Sequence, residues 1–307
     1  MTLDQFRTFE KAAILRSFTR AAEHLGLAQP SVSRIIGELE TEWKCELFHR
    51  TGRGVELTEH GEEALKRVQA LLRSVENLSG DMQSLGKLPG GNVVIALPPS
   101  LIPSLLPSLV QRLREERPAI RLRVYEGFSE QVIRWLGDGT AHIALYSEYH
   151  LEGQGRDLPQ TDSFVLADSR VVMTGAGERI PSAAGIDFAE ISKYPLVLPA
   201  PTNGLRLLVE SVARNLSVRL NIVAEADSVL AQEALATELG GYILRGEGSL
   251  LRKGPGERFR GVAINNPSIQ RRIVLSTGPQ SHLSRAARDV ASFITAVLRA
   301  NNAGHVG

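Results

Sequence analysis

The sequence predicts an all-α N-terminal unit carried into a long helix, followed by an α/β unit with parallel or mixed sheets. Three observations predict it. Apolar residues recur at helical spacing in short runs as far as Leu57, and a single long helical stripe follows. Beyond a Gly/Pro break the pattern changes to strands alternating with helices. With 307 residues the chain has room for two or three compact units, and its 43% hydrophobic content is enough to bury a core in each.

Leu3, Phe6, Phe9, Ala13 and Ile14 mark the first helix. Ser17 is placed to cap a second, which holds Ala21, Ala22 and Leu25 and ends at Gly26. Pro30 suits the first turn of a third, running through Val32, Ile35, Ile36 and Leu39. Thr58 can cap the long helix, and Glu59, Glu62 and Glu63 suit the positive end of its dipole. Along that helix Leu65, Val68, Leu72 and Val75 recur at three and four, and Ala64, Leu71, Leu78 and Leu85 at seven. So broad a stripe needs a partner, either its own domain or a second copy of the chain. The pattern is read as a dimer seam through Leu65, Val68, Leu72 and Val75, because the first 57 residues offer no evident partner.

The punctuation GKLPGG at 86–91 reads as a hinge. After it, strands are expected at 92–98, 120–127, 141–147, 170–174, 195–199, 221–226, 241–245 and 269–277. Helices are expected at 101–116, 129–136, 205–216, 229–239 and 285–299, giving right-handed βαβ units. The single cysteine, Cys45, rules out an internal disulfide and a cysteine-based zinc site, and suits a reducing compartment. Residues 1–10 lack a basic stretch followed by an apolar run, and no stretch approaches 18 apolar residues. A cytoplasmic protein with no membrane association is therefore expected.

A helix-turn-helix needs two short helices with a tight turn, the second offering hydrogen-bonding side chains at its N-terminal end to the major groove. Residues 21–34 (AAEHLGLAQPSVSR) supply this: Ala21 and Ala22 allow close helix contact and Gly26 the turn. Gln29, Pro30, Ser31, Ser33 and Arg34 lie at the start of the second helix, where Gln can pair adenine and Arg guanine or phosphate. By composition alone the same run is also a polar helix face. The formal net charge is only +1, so a DNA-binding reading rests on where the charges sit.

The segments 17–25 (SFTRAAEHL), 29–36 (QPSVSRII), 39–40 (LE), 47–50 (LFHR), 52–54 (GRG) and 57–61 (LTEHG) closely resemble the signature of LysR-type transcriptional regulators. The rest of the chain is similar to that family in organisation. The resemblance implies a winged helix-turn-helix at 1–58, with a recognition helix over 29–39 and a wing over 48–57. Arg50 and Arg53 would lie near the phosphates or the minor groove. It implies a dimerising linker helix at 59–86, a hinge at 87–91 and an effector-binding domain at 92–302. That domain would comprise two Rossmann-like subdomains similar to periplasmic binding proteins, about 92–162 with 268–302 and about 163–267. The chain would cross between them near Asp162 and Pro267. The implied partners are an inverted-repeat promoter, a small-molecule effector and the chain itself, as a homodimer or a dimer of dimers (a homotetramer). Three departures stand out: Trp43-Lys44-Cys45 before the wing, Gly37 inside the recognition helix, and eight basic residues balanced by eight acidic ones over 1–57.

In the α/β part a ligand belongs at strand C-termini and helix N-termini. Ser100 and Leu101, Thr202 and Asn203, and Ser228 all follow expected strands and open expected helices, and Ser147, a further candidate, follows the strand 141–146. Each hydroxyl or amide is either a ligand contact or a helix cap. Arg206 either pairs a carboxylate or is a solvated helix arginine. Helix N-termini favour anions, so the expected effector is a small carboxylate or other oxyanion bridging Ser100 and Thr202-Asn203, closing the subdomains and redirecting the DNA-binding arms. An enzyme is not expected: the chain has no GxSxG, GxxxxGK[ST] or HExxH motif, and Gly175-Ala176-Gly177 lacks the third glycine of a dinucleotide fingerprint. The seven histidines lack metal-ligand spacing, and His142 reads as a strand or core residue. No catalytic residue, metal or cofactor is assigned. The alternative, a solute-binding or enzymatic α/β protein without a DNA role, has the helix-turn-helix and the lack of a leader against it.

Overall fold

The computed structural model describes residues 1–52, 54–83, 88–153, 162–176, 185–247, 259–278 and 283–303. They fall into two compact units, Met1–Leu85 and, for the rest, mainly Gly86–Gln280 with Arg285–Gly307.

Short capped helices build the first unit. Helix α1 (Leu3–Leu15) starts with a reciprocal box, the Thr2 hydroxyl accepting from Gln5 N–H while the Gln5 side chain accepts from Thr2 N–H. Ser17 caps α2 (Phe18–Leu25) through Arg20 N–H, and Gly26 ends it at φ +67°, a left-handed conformation that glycine adopts without strain. Helix α3 (Gln29–Trp43) carries Pro30 in its first turn. A two-stranded antiparallel wing follows, β1 (Phe48–Thr51) on β2 (Gly54–Leu57), so the N-terminal unit is not purely helical. Thr58 Oγ1 accepts from Gly61 N–H at 2.9 Å and opens α4 (Glu59–Gln83). Gly61 has to be glycine: a Cβ there would stand 2.1 Å from the Leu47 carbonyl oxygen.

Gly37 leaves α3 unbroken, and a Cβ at that position meets nothing within 4 Å. Gly37→Ala is therefore expected to stabilise the unit by about 0.5–1 kcal/mol, the usual cost of glycine in a helix. A small rise in melting temperature would check this.

The core of this unit joins Phe9, Ala12, Val32, Ile36, Leu39 and Leu47 to Val68 and Leu72 of α4, which are only 4% and 6% exposed. This corrects the argument for the dimer seam. Val68 and Leu72 have a partner in their own unit, because α4 packs along α1 and buries that side of its stripe. Leu65 packs at the margin of the same core and Val75 is half-buried. Among the described residues, the large apolar side chains that α4 leaves exposed are Leu71, Leu78 and Met82, with Leu78 61% exposed. Leu71 and Leu78 belong to the sevenfold set, whose last member, Leu85, lies outside the described residues, as does most of the hinge punctuation before Leu88.

The second unit is built on one mixed sheet. Its first half comprises β3 (Gly91–Leu97), α5 (Ile102–Glu116), β4 (Ile120–Glu126), α6 (Ser129–Gly137) and β5 (Ile143–Leu151). After β6 (Ser163–Ala176), the second half holds β7 (Ile186–Asp187), β8 (Leu196–Leu198), α7 (Gly204–Asn215), β9 (Ile222–Glu225), α8 (Val229–Leu239), β10 (Tyr242–Gly246) and β11 (Phe259–Asn265). The chain closes with β12 (Ile269–Thr277) and α9 (Arg285–Ala303). The main strand order is β4-β3-β5-β12-β6-β10-β8-β9. Pairing is parallel within β4-β3-β5 and β10-β8-β9, and antiparallel on both sides of β12 and β6. The first crossing differs from expectation. It falls inside β6, which pairs with β12 through Ser163–Arg170 and with β10 and β11 beyond it. The return falls at Asn266-Pro267, between β11 and β12.

Candidate functional sites

In the first unit, α2 and α3 present one polar surface. Val32, Ile36 and Leu39 turn inward, which leaves Gln29, Pro30 and Arg34 exposed and Ser31 and Ser33 half-buried at the start of α3. Arg34 reaches Glu38 at 2.6 Å, one helical turn on, and Glu38 also accepts from Gln5 Nε2 at 2.9 Å. The group that can read a base or phosphate is thus held on the helix surface by an exposed carboxylate, a pairing that water and salt weaken. Arg50 stands in β1 opposite Val55. Its side chain, and the whole of Arg53, lie outside the described residues. The wing is tied back to the α1–α2 turn by Val55 N–H donating to the Arg16 carbonyl at 3.1 Å.

The second unit contains a cleft of about 610 Å³, lined from both halves of the sheet. Ser100, Ser147, Thr202 and Asn203 all line it. Asn203 is a true cap: its Oδ1 accepts from Leu205 N–H at 2.9 Å. Thr202, one residue earlier, is exposed at the cleft, and Ser100 caps nothing. Leu101 and Ser228 are corrections. Leu101 is buried in the core beneath the 3-10 turn, and Ser228 is an exposed helix start outside the cleft lining, where Asp227 and Val229 stand instead. The Ser129 hydroxyl is spent locally, accepting from Ser147 N–H and donating to the Ser147 carbonyl.

The arginine that the sequence reading missed is Arg271. Strand β12 turns Ile269, Arg271 and Ile273 to its buried side, so Arg271 is only 3% exposed and lies at the cleft. Its Nε donates to Ser147 Oγ at 3.0 Å and its Nη2 to Ser100 Oγ at 2.8 Å. Its aliphatic stem covers Gly246, where a Cβ would come within 2.6 Å of Arg271 Cδ. The signal was present in the sequence: period-two alternation through 269–273 puts one arginine among isoleucines. Arg206, by contrast, is not solvated. It is 5% exposed, pairs with Glu210 at 2.6 Å and Glu225 at 2.9 Å, and donates to the Pro199 carbonyl at 3.0 Å. It braces the loop carrying Thr202 and Asn203 from behind. His142 has a backbone role, its Nδ1 accepting from Val94 N–H at 3.0 Å. Among the described residues no cluster of three metal-ligating side chains occurs, and no helix is long and apolar enough to cross a membrane.

Comparison with known proteins places both units. Residues 3–62 match the bacterial regulatory helix-turn-helix of the lysR family, and residues 86–299 match the LysR substrate binding domain. The regulator CfxR of Cupriavidus necator is 28% identical over 215 residues, which cover 70% of this chain and 66% of that one. A full-length OxyR variant from Pseudomonas aeruginosa superposes with a TM-score of 0.71 at 18% identity, covering 97% and 98% of the two chains. Full-length CbnR, solved with its target DNA, gives a TM-score of 0.63 at 15% identity over 98% of this chain and all of that one. At these identities the structural matches establish the fold.

Proposed function

The chain belongs to the LysR family of bacterial transcriptional regulators, with a helix-turn-helix and a substrate-binding domain, and on that premise we propose that it reads an inverted-repeat promoter through α3 under control of a small anion bound in the cleft. One observation carries the effector reading. Hydrogen-bonding groups from separate segments converge on one cavity, Ser100, Thr202 and Asn203 from between strand ends and helix starts and Ser147 from the middle of β5, which runs on to Leu151. Helix starts offer unpaired N–H groups and partial positive charge, which favour an anion. The DNA reading is supported by the exposed donors at the start of α3 and by the complex in which CbnR was solved. Arg50 and Arg53 of the wing supply phosphate contacts. The exposed stripe of Leu71, Leu78 and Met82 forms the seam with a second copy, and dimers pair into tetramers. The effector changes DNA affinity only by its differential affinity for the two states of the domain.

Two measurements test this. Arg34→Ala is expected to weaken promoter binding by about 1–3 kcal/mol per half-site, the worth of a good base contact, and to leave the melting temperature unchanged. Unaltered promoter affinity would remove α3 from the interface. Thr202→Ala is expected to lower effector affinity about tenfold, one hydrogen bond's worth. Because Asn203 holds the cap, stability should not fall. Calorimetry with the effector, alongside thermal melting, separates loss of a contact from loss of a cap.

A further inference from the structure

Two arginines of the second unit are almost completely buried, and the protein treats them differently. Arg206 is enclosed by two carboxylates, Glu210 and Glu225. Arg271 is buried at least as deeply, yet no Asp or Glu oxygen among the described residues comes within 4.0 Å of it. Among the described residues its side-chain partners are the hydroxyls of Ser100 and Ser147. Hydroxyl oxygens satisfy N–H donors but do not neutralise charge, and an unneutralised buried guanidinium is costly. Both serine oxygens accept from Arg271, so their own protons are free to point elsewhere. A guanidinium and two O–H donors thus meet at the cleft in want of an acceptor that carries negative charge.

The other charges at the cleft are matched or acidic. Arg245 is paired with Glu233, and Arg134 lies 3.9 Å from Glu130. Asp227 accepts from Ala200 N–H at 3.0 Å. Among the described residues that leaves Arg271 as the one cleft cation without a counter-charge, which suits one negative charge and disfavours two. Much of the remaining wall is apolar, including Phe128, Ile133, Leu205, Leu207 and Leu244.

We propose that Arg271 is the charge anchor of the cleft and that the effector is a monocarboxylate with an apolar body. Its carboxylate is held by Arg271 with the hydroxyls of Ser100 and Ser147, and its body lies on the apolar wall. This inference rests on the effector reading proposed above and narrows it to one chemical class. Arg271 also sets the floor between the two halves, its guanidinium on Ser100 and Ser147 of the first and its stem on Gly246 of the second. A carboxylate bound to it is therefore positioned to act on both.

The test is calorimetric titration of the full chain with a series of acids from butyrate to 4-phenylbutyrate, the amide of 4-phenylbutyrate, succinate and inorganic phosphate. The acids are expected to bind, more tightly as the apolar body grows. The amide, succinate and phosphate are expected to bind weakly or not at all. Arg271→Met should lower affinity for 4-phenylbutyrate on the order of 100-fold, the scale of charge-assisted hydrogen bonds, while Arg271→Lys retains part of it. The melting temperature of unliganded Arg271→Met should stay level or rise, because an unneutralised buried charge has been removed. A purely structural arginine would lower it. Equal binding of acid and amide, a preference for succinate or phosphate, or no binding by any of the monocarboxylates overturns the proposal, whether or not Arg271→Met folds. Leu207→Trp, which fills the cleft from an exposed position, keeps the two readings apart. If it blocks 4-phenylbutyrate but Arg271→Met does not, the anchor fails and the cleft stands. If neither does, the cleft reading itself fails.

Discussion

Leu72→Glu is expected to unfold the N-terminal unit and so abolish DNA binding at every sequence. Leu72 is 6% exposed and lies in the same core as Phe9, Val32, Ile36 and Leu39. The substitution loses about 1.5–3 kcal/mol of leucine burial. It also places a carboxylate in a cluster of buried apolar side chains, at a further cost of several kcal/mol. A unit of this size has a net stability of roughly 5–10 kcal/mol, so the sum takes most or all of it. Loss of the α1–α4 helical signal in circular dichroism at room temperature checks this. Leu78→Glu on the exposed side of the same helix provides the contrast. It should change the stability of the unit by no more than about 0.5 kcal/mol while shifting sedimentation to a smaller species. The opposite pattern, an intact but dissociated Leu72→Glu protein, would return the seam to the buried side.

The second large effect is expected at Arg206. Arg206→Ala removes the close counter-ion of Glu225, one of two counter-ions of Glu210 (Arg214 remains at 3.9 Å), and the donor to the Pro199 carbonyl. Losing one member of a buried pair costs about 3–5 kcal/mol. Glu210 and Glu225 are 30% and 47% exposed, so water takes up part of the charge. About 2–4 kcal/mol is expected for the second unit, read as a lowered transition in thermal or urea unfolding. Effector affinity should fall as well, since the Pro199 tie braces the loop that presents Thr202 and Asn203. Arg206→Lys should recover only part of the stability, because one ammonium cannot reproduce the guanidinium fork. A level transition in Arg206→Ala would show that these ion pairs contribute nothing net.

Elements whose ends carry local chemical signals were legible in the sequence. Helix α8 was placed at both ends, with Ser228 before it and Gly240, at φ +59°, after it. Strand β12 was placed at both ends, with Asn266-Pro267 before it and Gly278-Pro279 in the sequence after it, and Ser17 and Gly26 bounded α2. Strand β11 was missed because Arg260, Gly261 and Asn265 break up its apolar residues, Phe259, Val262, Ala263 and Ile264. What makes it a strand is pairing with β6 and β7 across the fold, which no local pattern encodes. The first part of β6, 163–169, was missed although 164–167 is apolar: Asp168 and Ser169 interrupt the run, and the strand continues through them because β12 pairs with them. At the cleft, proximity to a helix start identified Ser100, Thr202 and Asn203 but could not say which way a neighbouring side chain points, hence Leu101 and Ser228. Arg271 was passed over because 269–277 was read as a strand without asking which face each residue takes, although its face was recoverable from the alternation. Val68 and Leu72 were misjudged because the periodicity of a helix shows that a face is buried, not what buries it.

The position of β12 between β5 and β6 has a consequence for how the protein is made. Synthesis proceeds from the N-terminus at about 5–20 residues per second, so the N-terminal unit can collapse early, its contacts being local. The second unit cannot. Until residues 269–277 have emerged, β5 and the first part of β6 lack the strand that joins them in the finished sheet. Partners separated by on the order of a hundred residues form slowly, and in the interval both strands present open edges to other nascent chains. A premature stop shortly before Ile269 therefore does more than delete the end of one subdomain. It leaves a folded helix-turn-helix tethered to an incomplete, self-associating sheet, and a damaged message of this kind yields aggregates rather than an unregulated repressor or activator.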